Sequence, residues 1–193
     1  MNTFPAYILA GGRSSRFGAD KSRVLLHGKP MIARVAEMLC PVMTSLTVVA
    51  DRLDKYADLG LRTIADTIPA AGPIAGLLSA LEDLKQPGWL LLAPCDAVLI
   101  RPEWIESLAA HACAPNQAVA FAEEYWQPFP GLYHRSLLPE LLERTTCGPL
   151  SLWHLLETTS SAALPLPKDW PAVFQVNSLA DWQAAVSMLD AQP

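Results

Sequence analysis

Short apolar runs alternate along this chain with segments whose apolar residues recur every three or four positions. The short runs are 5–10 (PAYILA), 45–50 (SLTVVA), 61–65 (LRTIA), 89–93 (WLLLA) and 117–123 (QAVAFAE). The periodic segments follow Pro30 (Met31, Ile32, Val35, Met38 and Leu39, ending at Cys40-Pro41) and cover 74–84 and 102–112. Runs too short for a helix read as strands, and a spacing of three to four reads as a helix with one apolar face. Strands separated by helices need right-handed crossovers, and such crossovers produce a mostly parallel sheet covered on both faces. The pattern therefore predicts an α/β fold. WLLLA, apolar throughout, reads as a strand buried on both sides, while Pro30 and Pro102 suit the first position of a helix.

Beyond Glu124 the expected order is a short strand at 131–133, helical stretches near 137–145 and 150–157, and irregular backbone around Pro165, Pro167 and Pro171. A last strand is expected at 172–176 (AVFQV), followed by a helix opened by a capping box between Ser178 and Asp181. No repeat or linker divides the 193 residues, a length that suits one domain. Hydrophobic residues make up 51% and charged residues 17%, which excludes a disordered chain. No apolar stretch approaches the ~20 residues of a bilayer crossing, and the N-terminus lacks the basic flank of a secretory signal. A cytoplasmic protein without membrane association is expected. Cys40, Cys95, Cys113 and Cys147 are widely spaced, so four reduced thiols are expected rather than a zinc site or a disulfide framework. Cys95, with no base or cation beside it in sequence, reads as a buried bystander.

The net charge of −5 argues against a nucleic-acid partner, but residues 1–34 carry +5 and the remainder −10. That segment contains LAGGRSSRFGADKS, residues 9–22. Positive charge beside a glycine turn suits a compact anion such as a nucleotide, with an ordinary basic surface patch as the alternative. In a parallel sheet, ligands settle outside the carboxyl ends of the strands, where Gly11 and Gly12 let main-chain N–H groups approach phosphate oxygens. Lys21 does not directly follow a glycine and Gly11 and Gly12 are adjacent, so neither a Walker loop nor a G-x-G-x-x-G fingerprint is present.

As a whole, Leu9, Ala10, Gly11, Gly12, Ser14, Arg16, Gly18, Asp20 and Lys21 resemble the L-A-G-G-x-S-x-R-M-G-x-D-K motif of the MobA-type molybdenum cofactor guanylyltransferases, with Phe17 where methionine is commoner. Further matches follow in the same order: Gly28-Lys29-Pro30-Met31, Ala71-Gly72-Pro73-Ile74-Ala75-Gly76-Leu77, Pro94-Cys95-Asp96, Gln127-Pro128 with Gly131-Leu132-Tyr133, and Val176-Asn177-Ser178. The resemblance implies a single Rossmann-like three-layer domain over 1–193, similar to nucleotide-diphospho-sugar transferases, whose N-terminal part binds the NTP and whose C-terminal part binds the acceptor. The implied reaction transfers GMP from GTP to molybdopterin with release of pyrophosphate. A phosphate nucleophile is already anionic and needs no general base, and His27, His111, His134 and His154 form no recognisable dyad with a serine or cysteine.

By the same resemblance, Lys21 lies against the α-phosphate, Arg16 near the leaving pyrophosphate, and Asp96 holds Mg²⁺. Leu9, Ala10, Gly11, Gly12 and Asp66 contact the nucleotide, and Asn177 joins Asp96 at the metal. Asp66 also suits a turn, Asn177 the end of a strand, and Asp96 a turn or a cap. Trp126 and Trp153 are candidates for the acceptor side, and Trp89, Trp104 and Trp182 for packing. The implied partners are GTP, molybdopterin or another small phosphorylated acceptor, and, transiently, molybdoenzymes or cofactor-delivery proteins. Three differences from the family pattern leave base selectivity open: Val49-Ala50-Asp51 after the second strand, Ala97-Val98-Leu99 without the usual proline, and Ser178-Leu179 likewise. The alternatives are a cytidylyltransferase for the same cofactor, a nucleotidyltransferase for another small phosphorylated acceptor, and a nucleotide-binding module without catalysis.

Overall fold

The computed structural model describes residues 3–11, 20–68, 72–145 and 151–191. Among them, nine strands and six α-helices alternate: β1 (Phe4–Leu9), β2 (Leu25–Leu26), β3 (Lys29–Pro30), α1 (Met31–Leu39), β4 (Met43–Ala50), β5 (Thr63–Ala65), α2 (Pro73–Asp83), β6 (Trp89–Pro94), α3 (Pro102–Ala109), β7 (Ala118–Ala122), β8 (Trp126–His134), α4 (Leu138–Thr145), α5 (Leu152–Thr158), β9 (Ser161–Leu164) and α6 (Leu179–Asp190). Seven strands form one sheet in the order β5-β4-β1-β6-β8-β7-β9, and only β8 runs antiparallel to its neighbours. The expected α/β class with a mostly parallel sheet is what the chain adopts.

The two faces of the sheet carry separate cores, and the strands feed them alternately. On β6, Leu91 and Ala93 join the core covered by α1, α3 and α6, whereas Leu90 and Leu92 join the one covered by α2, α4 and α5. This double burial is why WLLLA shows no polar alternation. Helix α1 buries Met31, Ile32, Val35, Ala36 and Leu39 along one stripe. Fully burying one such large side chain contributes about 2 kcal/mol.

Three local expectations are corrected. Pro30 is the N-cap of α1 and the last residue of β3, not the first helical residue: its extended backbone pairs with Leu25, and the Met31 N–H bonds to Val24 O at 3.0 Å. The β2–β3 hairpin turns through His27 and Gly28, both at positive φ, a geometry glycine adopts without strain. The short strand expected at 131–133 is nine residues long despite Pro128 and Pro130. A register shift between Ala120 and Phe121 on β7 accommodates those prolines, which cannot donate to the ladder.

Residues 172–176 form no strand. Phe174 stacks on Trp170 with ring centroids 4.4 Å apart, and the Val176 N–H bonds to Asp96 O at 3.1 Å, so the segment crosses the sheet edge instead of extending it. The place beside β7 belongs to Ser161–Leu164, which lacks the β-branched and aromatic residues that mark a strand in sequence.

Gly131 lies where β8 folds tightly. A Cβ there would stand 2.6 Å from Pro128 O and 2.8 Å from the Tyr133 ring, and Pro128 O is the acceptor of the Tyr133 hydroxyl. Main chain cannot retreat as a flexible side chain can, so Gly131→Ala is expected to cost about 2 kcal/mol and lower the melting temperature by about 6 °C, read by calorimetry.

Candidate active site

Because the strands flanking the β1 crossover are parallel, their carboxyl ends share one edge of the sheet. Gly11 follows β1, Asp51 follows β4, Asp66 follows β5 and Asp96 follows β6. Main chain there is tightly tied: the Ala10 N–H bonds to Val49 O at 2.9 Å, Cys95 N–H to Leu9 O at 3.0 Å, and Asp66 N–H to Ala50 O at 2.7 Å. Ala10 therefore has no N–H to offer a ligand. Gly11 is exposed, with open space where a Cβ would stand. Leu9 turns its side chain onto α2 at Gly76, where a Cβ would meet Leu9 Cδ2 at 2.7 Å. Gly12 and Arg16 lie outside the described residues.

Lys21 starts a short 3-10 turn, Lys21–Arg23, and its ammonium forms an ion pair with Asp96 Oδ2 and donates to Asn177 Oδ1 at 2.8 Å. Three residues separated by as many as 156 positions thus meet on one nitrogen. The Lys21 and Asp96 side chains are 15% and 10% exposed, so water screens this pair little. The other Asp96 oxygen accepts from Gln175 Nε2 at 3.2 Å. Asp96 is neither a cap nor a plain turn residue, since its carboxylate faces the cation. Asn177 in turn is anchored through its own N–H, which donates to Asp181 Oδ2 at 2.8 Å. Ser178 caps α6 as expected, accepting from the Asp181 N–H at 3.1 Å.

Asp66 stands at the same edge but three strands from Asp96, about 14 Å at ordinary strand spacing. Its Oδ1 accepts from the Ile68 N–H and from Ser79 Oγ, both at 3.2 Å, which is the turn-forming role weighed for it and also ties the loop to α2. Burial raises its carboxyl above the usual value, partly offset by those two bonds. Between Asp66 and Asp96 the same edge carries Asp51 and the exposed Gly11, with the Lys21 ammonium at the β6 end.

Two divalent-metal candidates, Asp96 and Asn177, fit a hard cation by their donor set. One carboxylate and one amide oxygen already converge on a single positive atom, and Mg²⁺ accepts such oxygens while completing its shell with phosphates and water. Among the described residues, no three His, Cys, Asp or Glu side chains gather to hold a metal by themselves. Cys40, Cys95 and Cys113 are free, and Cys147 is not among the described residues. The charge of Lys21 does reach the Cys95 thiol, contrary to the expectation of no cation nearby, but burial and Asp96 dominate and push the thiol up to about 12. A thiol raised in this way is a weak nucleophile at neutral pH.

His134 does pair with a serine: its Nδ1 lies 2.9 Å from Ser136 Oγ and accepts from the Ser136 N–H. The pair caps a turn at the end of β8, at the opposite edge of the sheet, and is no catalytic dyad. Trp104 is buried, stacked on Trp170 at 5.0 Å. Trp126 opens β8 at the functional edge and Trp153 is 40% exposed on α5.

Sequence reasoning missed Gln175, which it placed inside a strand, and the partners of Asp20 on the loop after β4. Lys55 and Tyr56 on that loop carry no motif of their own, and only the folded chain brings them to the lysine turn.

A mostly parallel α/β sheet with a glycine after its first strand, and a lysine held between a carboxylate and an amide across the crossover, belongs to the class of folds that take ligands at the carboxyl ends of their strands. The family model for the MobA-like NTP transferase domain matches residues 6–162. This chain belongs to that family. It is 32% identical over 173 residues to a probable molybdenum cofactor guanylyltransferase of Nostoc sp., covering 86% of this chain and 83% of that protein. A protein of the same description from Deinococcus radiodurans is 39% identical over 152 residues, covering 77% and 76%. Among solved structures, molybdopterin-guanine dinucleotide biosynthesis protein A of Archaeoglobus fulgidus superposes with a TM-score of 0.83 at 24% identity, covering 97% of this chain and 100% of that one. The 4-diphosphocytidyl-2C-methyl-D-erythritol synthase of Anaerococcus prevotii shares the fold at 11% identity, with a TM-score of 0.71 and 98% and 99% covered.

Proposed function

We propose that this nucleotidyltransferase is an Mg²⁺-dependent molybdenum cofactor guanylyltransferase, moving GMP from GTP to molybdopterin. The observation that carries the proposal is the convergence of Lys21, Asp96 and Asn177 at the edge where β1 ends. The curated relatives named above for that activity support the choice of substrates.

In the reaction, an oxygen of the acceptor phosphate attacks the α-phosphorus of GTP, the bond to the β-phosphate oxygen breaks, and pyrophosphate leaves with its electron pair. No proton has to move, because the nucleophile is anionic. The chain's work is alignment and neutralisation of charge. Lys21, on a four-carbon stem, reaches an α-phosphate oxygen and offsets the charge that builds up there. Gly11 with its exposed main chain admits the phosphates, and Arg16 attends the pyrophosphate. Asp96 and Asn177 would hold Mg²⁺, which when bound neutralises phosphate oxygens. Asp66 and the ends of β4 and β5 take the nucleoside side. The segment up to β6 serves the nucleotide and the segment from β7 onward, apart from Asn177, the acceptor, in a cytoplasmic setting that suits free cysteines, with hand-over of the product to molybdoenzymes.

Asp51, where the family pattern has asparagine, is paired with Lys55 at 2.8 Å. A base contact made by that residue is therefore altered, and cytosine is the competing choice. Thermal denaturation with Mg²⁺ and either GTP or CTP separates the two, since a ligand bound only to the folded chain stabilises it by mass action. At a concentration of about 100 Kd, GTP is expected to add about 2.7 kcal/mol and CTP much less. A larger shift with CTP would reassign the base.

A further inference from the structure

We propose that Tyr56 and Lys55, on the loop between β4 and β5, position the Lys21 ammonium by gripping Asp20, the residue that caps the lysine's turn. The proposal rests on the role given to Lys21 above and goes beyond it to the device that aims it.

Asp20 is in extended backbone and its carboxylate accepts from the Ser22 N–H at 3.1 Å and Ser22 Oγ at 2.6 Å. From the β4–β5 loop it also takes the Tyr56 hydroxyl at 3.1 Å and Lys55 Nζ at 3.2 Å. Tyr56 is completely buried, and its oxygen lies 2.7 Å from Ser22 Oγ, so the hydroxyl, the serine and the carboxylate stand within hydrogen-bond reach of one another, with two protons shared among three contacts. On the other side of Lys21, Arg23 grips Asp58 with two bonds of 2.7 and 2.8 Å and donates to Lys55 O at 2.8 Å. The Arg23 guanidinium and the Lys55 ammonium flank the Tyr56 ring at 5.2 and 5.5 Å from its centre. The residues before and after Lys21 are thus fastened to one loop, while Lys21 itself points away to Asp96 and Asn177.

Burial works against a charge on Asp20, but the bonds from Ser22, Lys55 and Tyr56 prevail and hold its carboxyl below the usual range. A carboxyl depressed on folding stabilises above its unfolded value and loses that contribution as pH falls through the folded one, so the grip is intact at neutral pH. A lysine has four rotatable side-chain bonds, and fixing the turn fixes where that side chain starts. Misplacing a catalytic group by about an ångström can cost two orders of magnitude in rate.

The test compares Tyr56→Phe, which removes one hydroxyl, and Lys55→Met, which removes one charge, each alone and combined with Lys21→Ala. Turnover is followed as pyrophosphate release from GTP with Mg²⁺ and molybdopterin, and melting temperature is recorded on the same samples. Each single variant is expected to lower kcat about tenfold; KM for GTP is expected to change less than about twofold in Tyr56→Phe, whereas Lys55→Met also releases Asp51 at the nucleoside side and is judged on kcat. In the Lys21→Ala background neither is expected to lower kcat by more than about a further twofold, because there is no ammonium left to aim. Lys55→Arg, which keeps the charge, is expected to recover most of the loss. An equal loss in both backgrounds, a loss confined to KM or to melting temperature, or no loss at all overturns the proposal. If Tyr56→Phe fails to fold, Lys55→Met carries the same decision. Lys21→Ala that turns over as fast as the parent chain would overturn the role of Lys21 itself, a different failure.

Discussion

Replacing Lys21 by alanine is expected to lower kcat about a thousandfold, with a much smaller effect on GTP binding, measured as pyrophosphate release and by titration with GTP. The size follows from where the charge stands. The Lys21 side chain is 15% exposed and lies against Asp96 across the first crossover, so its field acts where water screens little. A donor placed where negative charge accumulates acts more strongly on the transition state than on the bound substrate, and its loss appears in kcat. The substitution also strands the mostly buried Asp96 carboxylate. Breaking a buried pair by removing one partner is expected to cost about 3 kcal/mol, so the variant is also expected to melt several degrees lower.

Asp96→Ala is expected to lower turnover by about the same factor and to abolish its dependence on Mg²⁺ concentration, followed as initial rate against added magnesium. Asp96 is 7% exposed and is the carboxylate that meets the lysine, so its removal leaves the Asn177 amide oxygen as the remaining partner of that set. One neutral oxygen binds Mg²⁺ far more weakly than a carboxylate with an amide. The double variant of Lys21 and Asp96 is expected to melt higher than the sum of the two single losses predicts, because no unpaired charge is left buried.

The strands and helices that carry Gly11, Asp66 and Asp96 were legible because their signals are local. An apolar run ended by Gly11-Gly12, Pro102 at the first turn of a helix, and Ser178 with Asp181 at its start each act within a few residues. Elements decided by pairing were not. Ser161–Leu164 is a strand because β7 lies beside it, and 172–176, which has the better strand composition, is not, because Trp170 and Asp96 hold it elsewhere. The site divides in the same way. Lys21, Asp96 and Asn177 each sit in a recognisable motif, and the structure brings all three together. Gln175, Lys55 and Tyr56 act on those residues from neighbouring segments, through contacts spanning 79, 35 and 36 positions, which no local pattern records. For Asp66 the pattern and the fold agree only on place: it stands at the right edge, and its Oδ1 is engaged in the turn toward α2.

In the proposed function, Lys21, Asp96 and Asn177 form the point where a triphosphate and its divalent cation meet the chain. Crystals soaked with GTP and Mn²⁺ test this most directly, since manganese reports its own position by anomalous scattering. An anomalous peak bounded by the oxygens of Asp96 and Asn177 is expected, with Lys21 turned onto a phosphate oxygen. A triphosphate bound elsewhere, with Lys21 still closed on Asp96 and no manganese between them, would contradict it.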